Sequence, residues 1–224
     1  ITHKDQRLSV QKAIEEARVL IDEGKFLEAE TLARAVLKRH PKSHLCQQIL
    51  GIALAEQDDP NKKVEALEAC AAAVSAQPKN PHYINALANV TAQVGEYGRA
   101  EVLYEKALQI SPGLPDAKYN LAKLWTRMGK FLPARDVFQE MLPVISNVVD
   151  VYQNLGACEF SLGNYKQALL WFKLALGYSP NNNDLHKNYA TCLSCLSDYR
   201  GAIYHYNKAL DLGDEDFSVL LNIA

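Results

Sequence analysis

The feature that most constrains the fold is a 34-residue period that runs through almost the whole 224-residue chain. Pro41, Pro78, Pro112 and Pro180 lie near the ends of four of the units, and small and aromatic residues recur at fixed distances before them. The units span residues 10–43, 44–80, 81–114, 115–148, 149–182 and 183–216, with a partial seventh unit at 217–224. Such a period is typical of a solenoid, in which each unit buries its apolar face against its neighbours.

The units differ slightly in length, and the last one is incomplete. Unit two carries three additional residues around Asp58, Asp59, Pro60 and Asn61. Because the pattern stops early in unit seven, we expect residues 1–224 to form a single solenoid domain within a longer chain that continues beyond Ala224.

Each unit contains two amphipathic helices, A and B, because apolar residues recur at three- and four-residue steps on both sides of a short polar turn. In unit five, Tyr152 and Leu155 lie on helix A, Gly163 lies in the turn, and Phe172 and Ala175 lie on helix B. Small residues recur where the two helices must approach within about 8 to 10 Å of each other. In helix A they are Gly51, Ala88, Ala122, Gly156 and Ala190, and in helix B they are Ala29, Ala66, Ala100, Ala134, Ala168 and Ala202.

These small, aromatic and proline positions resemble the pattern of the tetratricopeptide repeat (TPR) family from about Val10 onward. The resemblance implies an all-α fold, a right-handed superhelical solenoid of antiparallel helix pairs, with helices A on the concave face and helices B on the convex face. Some units depart from the pattern. Glu16 replaces the usual leucine in unit one, unit four lacks the final proline, and Ser197 replaces the turn glycine in unit six.

The composition excludes several classes of function. Twenty-four basic and 26 acidic residues give a net charge of −2, so no overall field attracts nucleic acid or an anionic membrane. No apolar run approaches the roughly 18 to 20 residues of a bilayer-spanning helix, which argues against membrane insertion. Five cysteines match no disulfide framework, and their odd number favours a reducing, cytoplasmic location.

The chain contains no sequence motif of a known catalytic or cofactor site, such as a phosphate-binding glycine loop or an HExxH pair. Cys192 and Cys195 form a CxxC, a spacing that occurs in metal and redox sites. Cys158 lies 34 residues before Cys192 and occupies the same repeat position, so packing is the simpler explanation. We therefore predict no enzyme activity, metal or cofactor in this segment.

One polar pattern differs from the packing positions. Asn120, Asn154, Asn188 and Asn222 follow one another at 34-residue steps, at the sixth place of units four to seven. Asparagine costs a helix interior roughly 0.5 kcal/mol relative to alanine, so a role other than helix stability should favour it. Nearby helix-A residues extend the same polar face: Asp116, Asp150 and Asp184 one turn earlier, Asn85 and Asn89 in unit three, and the cations Lys123, Arg127 and Lys187.

We interpret the asparagines as a ladder for the backbone of an extended peptide, because a carboxamide both donates and accepts hydrogen bonds. Repeats stacked at about 8 to 10 Å would each meet roughly three peptide residues. The ladder resembles the asparagines that line the TPR superhelix of O-GlcNAc transferase, where such amides hold the backbone of protein substrates. Two other interpretations stay open: the asparagines bond to neighbouring helices or water, and the aspartates only cap or favour helix N-termini.

The predicted function is a protein–protein interaction module that binds an extended peptide or protein segment on its concave face. In one alternative, the segment targets substrates for a larger enzyme such as a glycosyltransferase. In another, it is a structural scaffold that forms homo-oligomers through its uncapped C-terminal end. The predicted partner is a protein or peptide in the first two cases and a second copy of the chain in the last.

Overall fold

The computed structural model describes residues 3–57, 59–143 and 148–213, and within these residues the chain forms twelve α-helices and no strand. They are α1 His3–Asp22, α2 Phe26–Arg39, α3 His44–Ala55, α4 Pro60–Ala76, α5 Pro81–Gln93, α6 Tyr97–Ile110, α7 Pro115–Arg127, α8 Phe131–Met141, α9 Val148–Ser161, α10 Tyr165–Tyr178, α11 Asn183–Cys195 and α12 Tyr199–Asp211. Odd-numbered helices are helix A and even-numbered helices are helix B of successive repeats, which confirms the predicted all-α fold of paired helices. None of these twelve helices has both the length and the apolar character needed to cross a bilayer.

The chain divides into two compact bodies, residues 1–120 and residues 121–224. In the N-terminal body, α1 packs on α2, α3 on α4 and α5 on α6, and helix A of one repeat also contacts helix A of the next, α1 with α3 and α3 with α5. In the C-terminal body, α9 packs on α10 and α11 on α12, and α9 contacts α11. Within each body, therefore, neighbouring A helices contribute to a common surface, called here the helix-A face.

The helices depart from the predicted unit boundaries at two places, and one helix is longer than its counterparts. Helix α1 begins at His3, before the predicted start at Val10, because no glycine or proline interrupts the residues that precede Val10. Helix α9 begins one residue before the predicted start of unit five. In unit two the additional residues lengthen α4 to 17 residues, and Oδ1 of Asp59 caps it by accepting from the N–H of Asn61. The partial unit at 217–224 lies outside the described residues.

The predicted small residues are buried where helices pack, as the sequence pattern requires. A Cβ atom added to Gly156 would lie 2.6 Å from Cε1 of Phe172 on the facing helix B. One added to Gly51 would collide with Sγ of Cys70. Contacts this short do not occur between real atoms, so a larger side chain would force the two helices or the neighbouring side chain to move.

The turn between helix A and helix B has a left-handed backbone in five of the repeats. The residues concerned have φ between 64° and 86°, and they are Gly24, Gly95, Gly129, Gly163 and Ser197. In repeat six the conformation is therefore imposed on a serine, whose Cβ atom is crowded by the backbone in this region.

Replacing Ser197 by glycine is expected to stabilise the C-terminal body by about 0.5 to 1 kcal/mol. Glycine removes the cost of the left-handed conformation, which exceeds the entropy that glycine adds to the unfolded chain. Urea unfolding followed by circular dichroism measures the change. Gly163→Ser is the reciprocal control and should destabilise the body by a similar amount. If Ser197→Gly unfolds at a lower urea concentration than the wild type, the serine is not strained.

A buried carboxylate joins repeat one to repeat two in the N-terminal body. Glu30 of α2 accepts hydrogen bonds from Nε of Arg34 at 2.9 Å, and from Nζ of Lys62 and Nε2 of Gln57 at 2.8 Å. Arg34 also forms two bonds of 2.7 Å to the carboxylate of Glu65 on α4. Burial by itself would raise the pKa of Glu30, but its three hydrogen bonds outweigh burial and lower the pKa to about 2.

The lowered pKa of Glu30 makes its contribution to stability depend on pH. Because the folded pKa lies below the ordinary value of 4.5, the contribution is complete above about pH 5 and is lost as the pH falls toward about 2. We expect Glu30→Gln to lower the free energy of unfolding by about 2 to 3 kcal/mol at neutral pH and to flatten its acid decline. Urea unfolding across this pH range measures both effects, and Glu68→Gln, an exposed carboxylate on α4, is the control. An unchanged acid decline in Glu30→Gln would contradict the assignment.

Candidate functional site

The predicted ladder residues lie on A helices. They are Asn85 and Asn89 on α5, Asp116, Asn120, Lys123 and Arg127 on α7, Asp150 and Asn154 on α9, and Asp184, Lys187 and Asn188 on α11. The three aspartates are exposed in the first turns of their helices. Asn120, Asn154 and Asn188 are half-buried. Asn222 lies outside the described residues.

Asn89 is an acceptor shared by two other helices of the N-terminal body. Its Oδ1 atom accepts from the hydroxyl of Tyr104 on α6 at 2.6 Å and from Nδ2 of Asn120 on α7 at 3.0 Å. Tyr104 is buried, and a buried hydroxyl needs a hydrogen-bond partner. The Asn120 amide thus bonds to a neighbouring helix, as one alternative interpretation of the ladder expects. An amide nitrogen carries two hydrogens, so this bond uses one of the two donors of Asn120.

Asn85 lies one turn before Asn89 on α5 and is only 9% exposed. Its buried Oδ1 atom has no hydrogen-bond partner among the residues that the structure describes. Such an acceptor costs about 1 to 3 kcal/mol unless water or a ligand donates to it. Because the Oδ1 atom itself is buried, it is not exposed to a ligand on the helix-A face.

A groove of about 710 Å³ opens on the helix-A face of the N-terminal body. Its walls come mainly from α1, α3 and the start of α5, and Asp116 at the start of α7 also lines it. Ile49 and Ile52 form part of its apolar lining and stand, in repeat two, at the places of Asn120 and Lys123 in repeat four. The groove is therefore lined by the ladder positions of repeat two, where the residues are apolar.

A chain of hydrogen bonds borders the groove. Nδ2 of Asn80 donates to Oε1 of Gln77 at 3.1 Å, and Nε2 of Gln77 lies 3.1 Å from Nε2 of His44. Nδ1 of His44 in turn lies 2.6 Å from the hydroxyl oxygen of Tyr83. Because an amide nitrogen only donates, Nε2 of His44 accepts, and its Nδ1–H donates to Tyr83. The Tyr83 hydroxyl then keeps its own hydrogen for a further acceptor.

In the C-terminal body the two described ladder asparagines have different surroundings. Nδ2 of Asn154 donates to the backbone carbonyl of Asp150, one turn earlier in α9, at 2.7 Å. Asn188 instead borders a cavity of about 130 Å³ that Ala157 of α9 and Phe172 of α10 also line.

In the first turn of α11, one residue caps the helix and a different residue carries the negative charge. The side chain of Asn182 caps the helix by accepting from the N–H of Leu185 at 3.0 Å. Asp184 is therefore not the cap of this helix. It forms an ion pair with Lys187 at 3.3 Å and places its charge where the helix dipole favours an anion.

The two thiols of the CxxC lie in different environments, since Cys192 is buried and Cys195 is exposed. Cys158, at the equivalent position of repeat five, is also buried, as expected for a packing position. Burial raises the pKa of Cys158 and of Cys192 to about 12, so both thiols are protonated at neutral pH. Within residues 3–57, 59–143 and 148–213, no three metal-ligating side chains come together.

Three models of the tetratricopeptide repeat family match the chain, over residues 14–81, 92–157 and 149–182. Together they cover well over half of its length. The chain is a TPR protein. TPR repeats are non-catalytic interaction modules, and this TPR protein is a protein–protein interaction module. A comparison with curated proteins finds no match.

Solved structures share the TPR fold at low sequence identity. PilF of Pseudomonas aeruginosa has a TM-score of 0.79 at 16% identity, with 97% of each chain covered. A chain of the APC/C hetero-tetramer Cut9–Hcn1 has a TM-score of 0.75 at 20% identity, covering 92% of this chain and 41% of that one. YrrB, described as a TPR protein with an unusual peptide-binding site, has a TM-score of 0.66 at 17% identity, covering 84% and 96%.

Most of the groove residues in this TPR protein escape a search for identical residues at a fixed period. The ladder is visible because asparagine recurs at one repeat position, whereas the same position holds Ile49 in repeat two. His44 and Tyr83 are 39 residues apart, and only the folded chain brings them into contact. When the repeats are aligned by position, without requiring the same residue, Ile49 in repeat two falls at the position of Asn120 in repeat four.

Asn89→Ala is expected to lower the free energy of unfolding of the N-terminal body by about 1 to 3 kcal/mol, because the Tyr104 hydroxyl and the Asn120 amide lose a shared acceptor. Adding Tyr104→Phe to this variant should cost less than the sum of the two single changes, since the two groups are bonded to each other. Urea unfolding of the single and double variants measures the coupling. Strictly additive losses would show that the Asn89–Tyr104 bond contributes nothing.

Proposed function

We propose that this TPR protein binds an extended segment of a partner protein along its helix-A faces. The supporting observation is that open space borders the ladder positions in both bodies. Ile49 and Ile52 line the N-terminal groove, and Asn188 and Ala157 line the C-terminal cavity at the same two repeat positions. A described peptide-binding site in the structurally similar protein YrrB is consistent with this use of the fold.

The N-terminal groove offers a place for an apolar side chain of the partner segment. Ile21, Ile49 and Ile52 contribute apolar lining, and burying one large aliphatic or aromatic side chain there would contribute about 1.5 to 3 kcal/mol. The Tyr83 hydroxyl, whose oxygen accepts from His44, offers its hydrogen to a backbone carbonyl of the segment. This groove therefore supplies affinity that depends on side-chain type.

The asparagines supply contacts that do not depend on the partner's side chains. A carboxamide donates to a peptide C=O and accepts from a peptide N–H. In the C-terminal body, the side chain of Asn188 borders open space. Each hydrogen bond contributes a net 0.5 to 1.5 kcal/mol, roughly the cost of ordering one peptide residue.

The expected affinity depends on the hydrogen bonds, the buried apolar side chain and the entropy lost when the segment becomes ordered. Backbone contacts alone about cancel the ordering of the segment, so the apolar groove has to provide most of the surplus. Nδ2 of Asn120 and of Asn154 already donates within the protein, which leaves fewer donors for a ligand. These considerations favour a complex in the micromolar range, about −8 kcal/mol, rather than a nanomolar one.

The double change Asn154→Ala and Asn188→Ala is expected to weaken a bound extended peptide by more than about tenfold, because the peptide loses two carboxamides. The melting temperature should not fall, because alanine is a better helix former than asparagine. The probe is a peptide selected for binding from a random library displayed on phage. Calorimetric titration gives the affinity. Asn207→Ala, an exposed asparagine on helix B, is the matched control. An affinity equal to that of the wild type in the double variant would rule the ladder out.

A further inference from the structure

Two long stretches of the N-terminal body contain no acidic residue. No Asp or Glu lies between Glu30 and Glu56, and none lies between Glu68 and Glu96. Each stretch runs from a B helix through a loop into the following A helix, so each includes a loop that joins two repeats. Four exposed cations lie in or next to these two loops, and we call them the basic edge: Lys38, Arg39, Lys42 and Lys79.

A hydrogen bond joins the two loops of the basic edge. Nε2 of Gln77, in the loop between α4 and α5, lies 3.1 Å from Nε2 of His44 at the start of α3. Lys42 lies two residues before His44, and Lys79 lies two residues after Gln77. Two residues span at most about 7 Å, so the backbones of both lysines lie close to this bond. Cations from both loops therefore lie on the same side of the N-terminal body.

The groove on the helix-A face reaches this side of the body. Gln77, Asn80 and His82 line the groove, and the same residues line a second depression of about 690 Å³ on the loop between α4 and α5. Lys79 also lines this second depression. Because the two spaces share three lining residues, a segment bound in the groove can continue over the loop and reach Lys79.

The cations of the basic edge lack carboxylate partners within the protein. Among the residues that the structure describes, none of the four forms an ion pair, whereas Arg34 on the same B helix as Lys38 forms two. Lys38 and Arg39 lie in the last turn of α2, where the helix dipole favours a cation. Lys42 and Lys79 lie in loops, so a helix dipole does not account for their charge.

Inside the groove, positive and negative charges are more evenly balanced. Arg18 lines it, and so do the carboxylates of Asp22 and Asp116. An acidic side chain inside the groove would meet two like charges, which is unfavourable, whereas one beside the groove would meet the basic edge. The apolar lining therefore suits an apolar side chain, and the adjoining loops suit acidic ones.

The second place of helix A also differs between repeats. It holds Leu45 in repeat two and His82 in repeat three, but Asp116, Asp150 and Asp184 in repeats four to six. Acidic residues of a ligand would be repelled by these aspartates. The difference favours an acidic stretch at repeats two and three over the same place in the later repeats.

We propose that the segment bound in the N-terminal groove carries Asp or Glu residues beside its apolar side chain, and that the basic edge binds these carboxylates. This inference rests on the proposed function and adds the charge of the partner segment to it. An extended chain rises about 3.3 Å per residue, so three or four acidic residues would span about 10 to 13 Å of the two loops. Because the cations are exposed, they act mainly on the association rate and make the affinity depend on salt.

A protein segment fits the basic edge better than a nucleic acid does. Tyr83 is the only Phe, Tyr or Trp in the two acid-free stretches, and its side chain is buried. Proteins that bind single-stranded nucleic acid stack bases on exposed aromatic side chains, which these stretches do not offer. The net charge of −2 also provides no wider positive field to add to the four cations.

The test starts from a phage-selected peptide that binds the wild type and is weakened by Ile52→Ala, which places the peptide in the groove. The peptide is extended at either end with a short run of glutamates, glutamines or lysines. At one end, glutamates should raise the affinity at least about threefold over glutamines in low salt, and lysines should lower it. Fluorescence anisotropy measures the affinities, and the gain should shrink as NaCl is added, because salt screens exposed charges.

Variants of the two loop lysines assign the gain to the basic edge. Lys42→Gln with Lys79→Gln should remove most of it, and Lys42→Glu with Lys79→Glu should transfer the preference to the lysine extension. Lys12→Gln with Lys106→Gln is the matched control, because both lysines are exposed, do not line the groove and change the net charge equally. The substituted lysines are exposed, so the circular dichroism spectra should not change.

The outcomes separate this inference from the proposed function. Equal affinity for the three extensions at both ends, or a gain that survives Lys42→Gln with Lys79→Gln, would overturn the inference alone, since the unextended peptide still binds. If no selected peptide depends on Ile52, the groove is not a peptide site and both are wrong. Tighter binding of a single-stranded oligonucleotide than of the glutamate-extended peptide, lost in the same double variant, would overturn the choice of an acidic protein segment.

Discussion

The close approach of helix A to helix B is the constraint on which the rest of this structure depends. Where Gly156 faces Phe172 and Gly51 faces Cys70, there is no room for even a methyl group. The same requirement recurs in every repeat and fixes the distance between the paired helices. Because that spacing is fixed, the positions facing outward from helix A and from helix B are fixed as well, and they are free to vary in chemistry.

The difference between packing positions, which must be small, and outward positions, which can vary, explains how far the fold could be predicted from the sequence. Residues such as Ala168 and Ala202 must be small in each repeat, so the period shows directly in the sequence and locates the helix pairs. The start of α1 at His3 could not be located in this way, because its N-terminal turns lie before the first 34-residue unit and have no repeat position with which to be aligned.

The candidate site was only partly predictable, for a physical reason. The positions of Asn154 and Asn188 were found because the same residue recurs, but hydrogen-bond partners depend on neighbours that differ between repeats. Thus Asn120 bonds to Asn89 on another helix, and Asn154 bonds to its own backbone. The groove beside Ile49 arises from several helices at once, and no single repeat contains its pattern.

The cysteines have a practical consequence for studying how this protein meets its partners. Cys46, Cys70, Cys158 and Cys192 are buried, and burial raises the pKa of each thiol, which leaves little reactive thiolate at neutral pH. Cys195, the last residue of α11, is exposed. A maleimide dye added to the native protein should therefore label one defined point, on the helix that carries Asn188 and lies under α10 and α12. Occupancy of the proposed peptide site could then be followed from a single fluorophore without engineering the other four thiols away.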